Sequence, residues 1–310
     1  MLNGIRIITN KIMCGICGFT SSISDKKNNL NRMLNQLTSR GPDAEGVYSD
    51  NHVNFGHKRL SIIDLNSRSN QPFLDKQTGN ILVFNGEIYN FKKIKLDLIE
   101  QKKCVFLTTS DTEVVLKSYA YYGLDCFEKF DGMFAIAIWD SKLSKLILAR
   151  DRFGEKPLYY YIYNNTLYFS SSLDTFKKIN NLNLEIDQRS LNIFLKRGYI
   201  PYSETIYKNI YKVEKGSYIK FKLDRNNNIL NKELMFWSKD EFISENKYSL
   251  ENNSKELERI LTKSIEQQLI ADVPIGVLLS GGIDSSLITS IASKISKNKI
   301  NTFTVGFENE

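Results

Sequence analysis

Cys14, inside the run Met13-Cys14-Gly15-Ile16-Cys17-Gly18, opens three kinds of chemistry. Spaced as Cys-x-x-Cys, Cys14 and Cys17 could bind a metal or cycle through a disulfide, but no second cysteine pair follows and no histidine cluster completes four ligands. A structural thiol in a glycine-rich strand is the plain alternative. The third chemistry is nucleophilic. A thiol on the first residue of a chain can use its own α-amino group, of pKa ~7.7–8.0, as general base without a catalytic histidine. This reading puts the working N-terminus at Cys14, with everything through Met13 removed. The sequence has only two histidines, His52 and His57, so a Cys-His-Asn arrangement would rest on His57.

A second cluster, Leu278-Leu279-Ser280-Gly281-Gly282-Ile283-Asp284-Ser285-Ser286, lies where an apolar run gives way to a helical pattern. Unpaired amides and the positive dipole end at a helix start favour a phosphate, and paired glycines let the backbone approach it closely. The loop has neither the Gly-Lys-Ser/Thr of a Walker A motif nor the Gly-x-Gly-x-x-Gly of a dinucleotide fold. A Ser or Asp cap after a glycine turn is its bland reading. Three further positions have bland readings too: Asn85-Gly86 as a type I′ hairpin turn, Arg59 as a solvated strand end, and Asp111 as a helix cap.

Periodicity supplies the elements that must hold these residues. Across 28–39, Leu30, Met33, Leu34 and Leu37 form the stripe of an amphipathic helix, ended by Gly41-Pro42. Extended runs follow at 53–60, at 81–84 closed by Asn85-Gly86, and at 133–139, 145–150 and 158–171. Ser110-Asp111-Thr112-Glu113 is a capping-box start to a helix carrying Val115, Tyr119 and Tyr122. Strands with a few helices to about residue 215 predict an α+β sandwich. Beyond it the composition turns to Asn, Lys, Glu and Ser, and a linker is expected over 216–255. Then come a helical stripe (Leu257, Ile260, Leu261, Ile265, Leu269), a buried strand at 273–279, a helix at 285–296 and a strand at 302–307, the opening of a parallel α/β domain.

Composition narrows the class. Length alone predicts about two domains, and a 42% hydrophobic, 25% charged chain is ordinary for a globular protein. The net charge of +7 is spread over scattered lysines, so no nucleic-acid surface is expected. Four cysteines in 310 residues do not make a disulfide framework, and a cytoplasmic setting follows. No apolar run reaches the ~18 residues of a membrane helix, so no membrane partner is expected.

Six motifs in order carry a resemblance: Met13-Cys14-Gly15-Ile16-Cys17-Gly18, Arg40-Gly41-Pro42-Asp43, Arg59-Leu60-Ser61-Ile62-Ile63-Asp64, Asn85-Gly86-Glu87-Ile88-Tyr89-Asn90, Ser110-Asp111-Thr112-Glu113 and Asp151-Arg152-Phe153-Gly154-Glu155-Lys156-Pro157-Leu158. Together they resemble the class II glutamine amidotransferases of the asparagine synthetase family. The resemblance implies an N-terminal-nucleophile αββα sandwich over 14–215, and over 256–310 the start of a doubly wound α/β ATP pyrophosphatase domain that continues past Glu310. It implies Cys14 as nucleophile and Asn85 with Gly86 as oxyanion hole. Arg59 would grip the glutamine α-carboxylate, Glu87 and Asp111 would hold the α-ammonium, and Leu60 and Ile63 would line the pocket. In the pyrophosphatase loop it implies ATP contacts from Leu279, Ser280, Gly281, Gly282, Asp284, Ser285 and Val305, with Asp284 placing Mg2+. Glutamine, aspartate and ATP are the implied small-molecule partners, and a homodimer is an assembly open to it. Ser171-Ser172-Leu173-Asp174 departs from the family's usual string. An enzyme aminating a different carboxylate, and a non-catalytic binding or regulatory remnant, remain as other readings.

Overall fold

The computed structural model describes residues 13–20, 25–179, 182–238 and 250–306. The chain divides into two compact units, one spanning Asn10–Lys239 and the other drawn mainly from Asp240–Glu310. The residues ahead of Met13 and the expected strand end at 307 lie outside the described residues, as does 239–249 of the expected linker.

The strands of the larger unit are β1 (Gly15–Thr20), β2 (Ala44–Ser49), β3 (Val53–Arg59), β4 (Phe73–Leu74), β5 (Ile81–Ile88), β6 (Gly132–Asp140), β7 (Lys145–Arg150), β8 (Tyr159–Tyr163), β9 (Thr166–Ser170), β10 (Ile210–Lys212), β11 (Ser217–Leu223) and β12 (Ile229–Phe236). They form two six-stranded antiparallel sheets, ordered β10-β8-β9-β1-β3-β2 and β12-β11-β7-β6-β5-β4. Side chains alternate across each strand, so one parity faces the other sheet and one faces out. Ile16, Phe55, Val83, Ala135, Leu148, Phe169 and Phe221 meet in the layer between the sheets. Cys17 and Phe19, of the opposite parity, pack outward under helix α1 (Lys26–Asn35), whose Leu30, Met33 and Leu34 are fully buried with Leu37 beyond its end. On the far side, helix α3 (Asp111–Tyr122), preceded in the chain by α2 (Phe91–Lys102), packs on β5. The layers therefore stack helix, sheet, sheet, helix, as the expected αββα sandwich requires.

Two expectations need correction. Asn85-Gly86 makes no turn: β5 runs straight through it, with Asn85 opposite Ala135 and Gly86 opposite Phe134. The partner strand overrides the local turn preference of the dipeptide. Nor is the segment from 216 a linker, since β11 and β12 pair with each other and β11 pairs with β7. Ile219, Phe221 and Leu223 are buried while the lysines between them face out, and β12 is a largely exposed edge strand. Its polar composition is that of a protected sheet edge.

The larger unit's last helix is α4 (Gln188–Arg197); the smaller unit holds α5 (Leu250–Gln268), β13 (Gly276–Leu278), α6 (Ile283–Ile295) and β14 (Asn301–Phe303), with β13 and β14 parallel. Ile265, Ile291 and Ala292 form its core, packed by Leu261, Val277 and Ile295. The expected strand at 273–279 is shorter and less buried, Leu278 being half exposed. Among the described residues no helix is long and apolar enough to cross a membrane.

Candidate active site

Cys14 stands at the entry to β1, one residue before the pair Gly15↔Lys58. Its parity matches Ile16, so its thiol belongs to the face between the sheets. The Leu60 amide donates to Cys14 Sγ at 3.3 Å, the thiol contacts the Leu60 carbonyl at 3.5 Å, and Arg40 Nε donates to the Cys14 carbonyl oxygen at 3.2 Å. Cys17 points to the opposite face into apolar packing, which rules out a shared metal or a disulfide between the two. All four cysteines are free, and no metal-binding group of three or more ligands occurs among the described residues. Burial lifts the Cys14 thiol to about 11; the Leu60 amide and the Arg59 charge pull the other way, and Glu87 and Asp111 reinforce the rise. Such a thiol is a poor nucleophile until a base takes its proton.

On β5, Asn85 is fully buried on the inter-sheet face, and neither its Oδ1 nor its Nδ2 has a hydrogen-bond partner among the described residues. An orphaned carboxamide costs roughly 1–3 kcal/mol, which an incoming polar ligand would recover. The edge of the strand is equally specific. Tyr89 N donates to Asp131, so odd-numbered residues bond to β6 and even-numbered amides face away. The Phe84 amide is taken by Gln71 Oε1 at 2.6 Å and the Ile88 amide by Asp111 Oδ2 at 3.0 Å. Between them the Gly86 amide faces the same edge. Glycine is required there, because a Cβ would lie 2.0 Å from the Met133 carbonyl oxygen.

Arg59 is buried and holds the loop that follows it. Its Nη1 donates to Asn66 O at 3.0 Å and Asn70 Oδ1 at 2.7 Å, its Nη2 to Ile63 O at 3.2 Å and Asp64 O at 2.5 Å. Asp64 ties this loop to the one before α3: Thr109 N and Oγ1 both donate to its Oδ2. Those bonds outweigh its burial and bring it down to about 2. Ser110 caps α3 by accepting from Glu113 N, as expected, while the Glu113 carboxylate gathers the amides of Leu107 and Thr108. Asp111 is buried and, through burial first, raised to about 6 despite the Ile88 amide and Arg59. Glu87, one residue before Ile88, shares its field with Cys14. Two carboxylates drawn out of water beside one thiol suit a cationic ligand.

The segment 151–158, the last of the six motifs, has a structural task that its residue types do not announce. Asp151, fully buried, accepts from the amides of Phe134, Phe153, Glu155 and Lys156. Arg150 adds bonds to the carbonyls of Gly154, Lys156 and Val213. The result is a rigid loop that buries Lys156, whose Nζ lies 3.1 Å from Met13 Sδ, the residue before Cys14. A lysine in a motif gives no hint of such a contact from sequence alone. His57 faces the inter-sheet layer, and burial, with Arg59 nearby, drops it to about 3. It stays neutral and cannot be the proton acceptor of a Cys-His pair near neutral pH.

In the smaller unit the glycine loop joins β13 to α6. Gly281 has φ +83° with nothing near its missing Cβ, and Gly282 caps α6 in extended conformation. Ser280 Oγ and Ser285 Oγ lie 3.0 Å apart, Ser285 Oγ donates to Gly282 O at 3.1 Å, and Leu279 N reaches Phe303 O at 2.8 Å. The loop is thus preformed, with amides at a helix start able to meet a phosphate. Asp284 and Val305 are exposed beside it.

The profile of a family described as "Glutamine amidotransferase domain" matches residues 13–237, and one described as "Asparagine synthase" matches 256–310. The chain is 35% identical to asparagine synthetase [glutamine-hydrolyzing] 1 of Bacillus subtilis, over 96% of this chain and 46% of that protein. It is also 35% identical to amidase chry2 of Gibberella zeae, over 92% of this chain and 43% of that protein. Across such relatives it spans 40% to 60% of their length. In structure it resembles the glutamine phosphoribosylpyrophosphate amidotransferase of B. subtilis, with a TM-score of 0.55, 16% identity, and 94% of this chain and 65% of that chain covered. At that identity the likeness speaks for the fold, and it is the αββα fold described above.

Proposed function

Because the chain belongs to the glutamine amidotransferase domain family over residues 13–237, we propose that it hydrolyses glutamine to glutamate and ammonia at Cys14. The observation that carries this is the convergence on one desolvated thiol of Glu87, Arg59 and Asp111, from three other parts of the fold. Removal of the residues through Met13 would free the Cys14 α-amine. That amine takes the thiol proton, and Sγ attacks the glutamine side-chain carbonyl carbon, moving an electron pair onto oxygen. Asn85 Nδ2 and the Gly86 amide are the donors to that oxyanion. Ammonia leaves with the proton returned by the α-ammonium, and water then cleaves the thioester with the same amine as base. Glu87 and Asp111 hold the substrate α-ammonium. Arg59, whose Nη donors also fix the loop 63–70, grips the α-carboxylate, with Leu60 and Ile63 lining the pocket.

The reading extends to glutamine-dependent asparagine synthesis, since the asparagine synthetases to which this chain is similar match it over about half of their own length. ATP would supply the adenylyl group that activates an aspartate carboxyl for attack by ammonia, with AMP and pyrophosphate released. Ser280, Gly281, Gly282 and Ser285 would hold its phosphates, Leu279 and Val305 its adenosine, and Asp284 a magnesium ion. The preformed loop, with Gly281 at positive φ, fits that group. A cytoplasmic setting, free of nucleic-acid or membrane partners, accompanies this reading, and a homodimer is its assembly to test. A different acceptor carboxylate is the second reading, and one relative of equal identity is called an amidase where others are called asparagine synthetases.

The decisive experiment combines intact-mass analysis with a glutaminase assay. Active protein should begin at Cys14, and Cys14→Ala should abolish ammonia release. Full activity in Cys14→Ala, or in a chain that keeps Met1 to Met13, would overturn the assignment.

A further inference from the structure

We propose that Lys156 is the positioning residue that keeps the Cys14 α-amine unprotonated, and so able to act as base, once the residues through Met13 are gone. This rests on the glutaminase reading above. The geometry is specific. Lys156 is only 4% exposed, and among the described residues the sole hydrogen-bond partner of its ammonium is the thioether of Met13, a weak acceptor. Five covalent bonds separate that sulfur from the Cys14 nitrogen, a reach below about 8 Å. With the 3.1 Å contact added, the cation lies within about 11 Å of the place where the α-amine would appear, and nothing that strongly neutralises it is bonded to it. Its position is enforced by Asp151 and Arg150, which between them bond the amides and carbonyls of the loop 153–156.

Other charges face the same place. Arg40 donates to the Cys14 carbonyl and lies within the field of Lys156. Arg59, Glu87 and Asp111 act on Cys14, while Glu155, Glu87 and Asp151 act on Lys156. Asp151 is engaged by four backbone amides, and Glu155 is exposed to screening water. Asp111, with its raised pKa, carries only part of a charge near pH 6. Glu87 is the anion that most directly opposes the three cations Lys156, Arg40 and Arg59. Burial brings Lys156 down to about 8, which leaves it charged at neutrality. A neighbouring positive charge lowers an amine's pKa, so an α-amine of ordinary pKa ~7.7–8.0, mostly protonated at pH 7, would become about half neutral there after a shift of about one unit.

The test uses chain confirmed by mass to begin at Cys14, as wild type, Lys156→Gln and Lys156→Arg. The acid limb of glutaminase kcat/KM reports the free-enzyme base. In Lys156→Gln its midpoint should rise by on the order of one pH unit, with most of the rate recovered at high pH; Lys156→Arg should keep the wild-type midpoint. A uniform loss of rate with an unmoved midpoint in Lys156→Gln would assign the lysine a purely structural role and overturn the proposal. Trace acetylation of the Cys14 α-amine across pH, read by peptide mass, gives the amine pKa without any turnover. A wild-type chain without glutaminase activity would thus count against the function, while an acetylation midpoint identical in wild type and Lys156→Gln would count against Lys156.

Discussion

Asp111 Oδ2 accepts the Ile88 amide at 3.0 Å, locking the first carboxylate of α3 onto the end of β5. Burial holds this acid at about 6, above its ordinary 3.8. A group raised on folding contributes stability that is fully present below pH 3.8 and is lost as pH rises through 6. The ligand-free chain therefore carries a destabilising charge at pH 8. Asp111→Asn keeps an oxygen for Ile88 and removes that charge, so its Tm should exceed wild type at pH 8 and match it near pH 4. If Asp111 holds the glutamine ammonium, the same variant should raise KM for glutamine at least tenfold. A lower Tm at pH 8 would show that the carboxylate stabilises the empty site.

Asn85 and Arg59 should separate kinetically. Loss of one oxyanion donor costs about a hundredfold to a thousandfold in turnover, so Asn85→Ala should lower kcat by that order with little change in KM. Its carboxamide has no partner among the described residues, and the folded state should lose little by the change. Arg59→Ala removes four bonds to the loop 63–70 and should raise KM and lower Tm together. Differential scanning calorimetry beside steady-state kinetics reads both, and the reverse assignment of kcat and KM effects would mean the roles are exchanged.

The sequence displayed the outer helices because their signals are local: the Leu30, Met33, Leu34, Leu37 stripe became α1 with its tail, and Ser110 became the cap of α3. The candidate site was legible mainly through the resemblance, because the thiol and its companions are far apart in the chain. What escaped depends on partners. Whether Asn85-Gly86 turns or runs on is decided by β6, and whether 217–236 is linker or sheet is decided by β7 offering an edge to β11. The work of Asp151, four amides on one carboxylate, has no periodic signature at all.

His57 should make the chain acid-sensitive without serving catalysis. Its folded pKa is depressed to about 3 by burial, so its contribution to stability is present above pH 6.5 and is lost as pH falls toward 3. One such proton steepens the loss by about 1.4 kcal/mol per pH unit. Urea midpoints between pH 7 and 4 should therefore fall less steeply in His57→Gln than in wild type. The glutaminase pH profile should keep its midpoint in that variant; a displaced acid limb would return His57 to the proton relay.

The last expectation concerns the second unit. Parallel sheets are stable when both faces are covered, whereas β13 and β14 form a pair beside which Leu278, Ile283, Leu287, Ile288 and Val305 are exposed. The loop from Ser280 to Ser285 is likewise open to water, which competes for a phosphate at every amide, and among the described residues no low-dielectric cavity that would make such donors strong encloses it. Asp284 has no cluster of further metal-ligating groups near it among the described residues, and a single carboxylate holds Mg2+ weakly unless substrate phosphates are themselves held. Incubating this chain with glutamine, aspartate and Mg-ATP should yield glutamate and free ammonia, with neither AMP nor asparagine above background. Stoichiometric AMP and asparagine would show that the loop gains its walls in another way, through an assembly of chains, and light scattering of the same sample would then reveal that assembly.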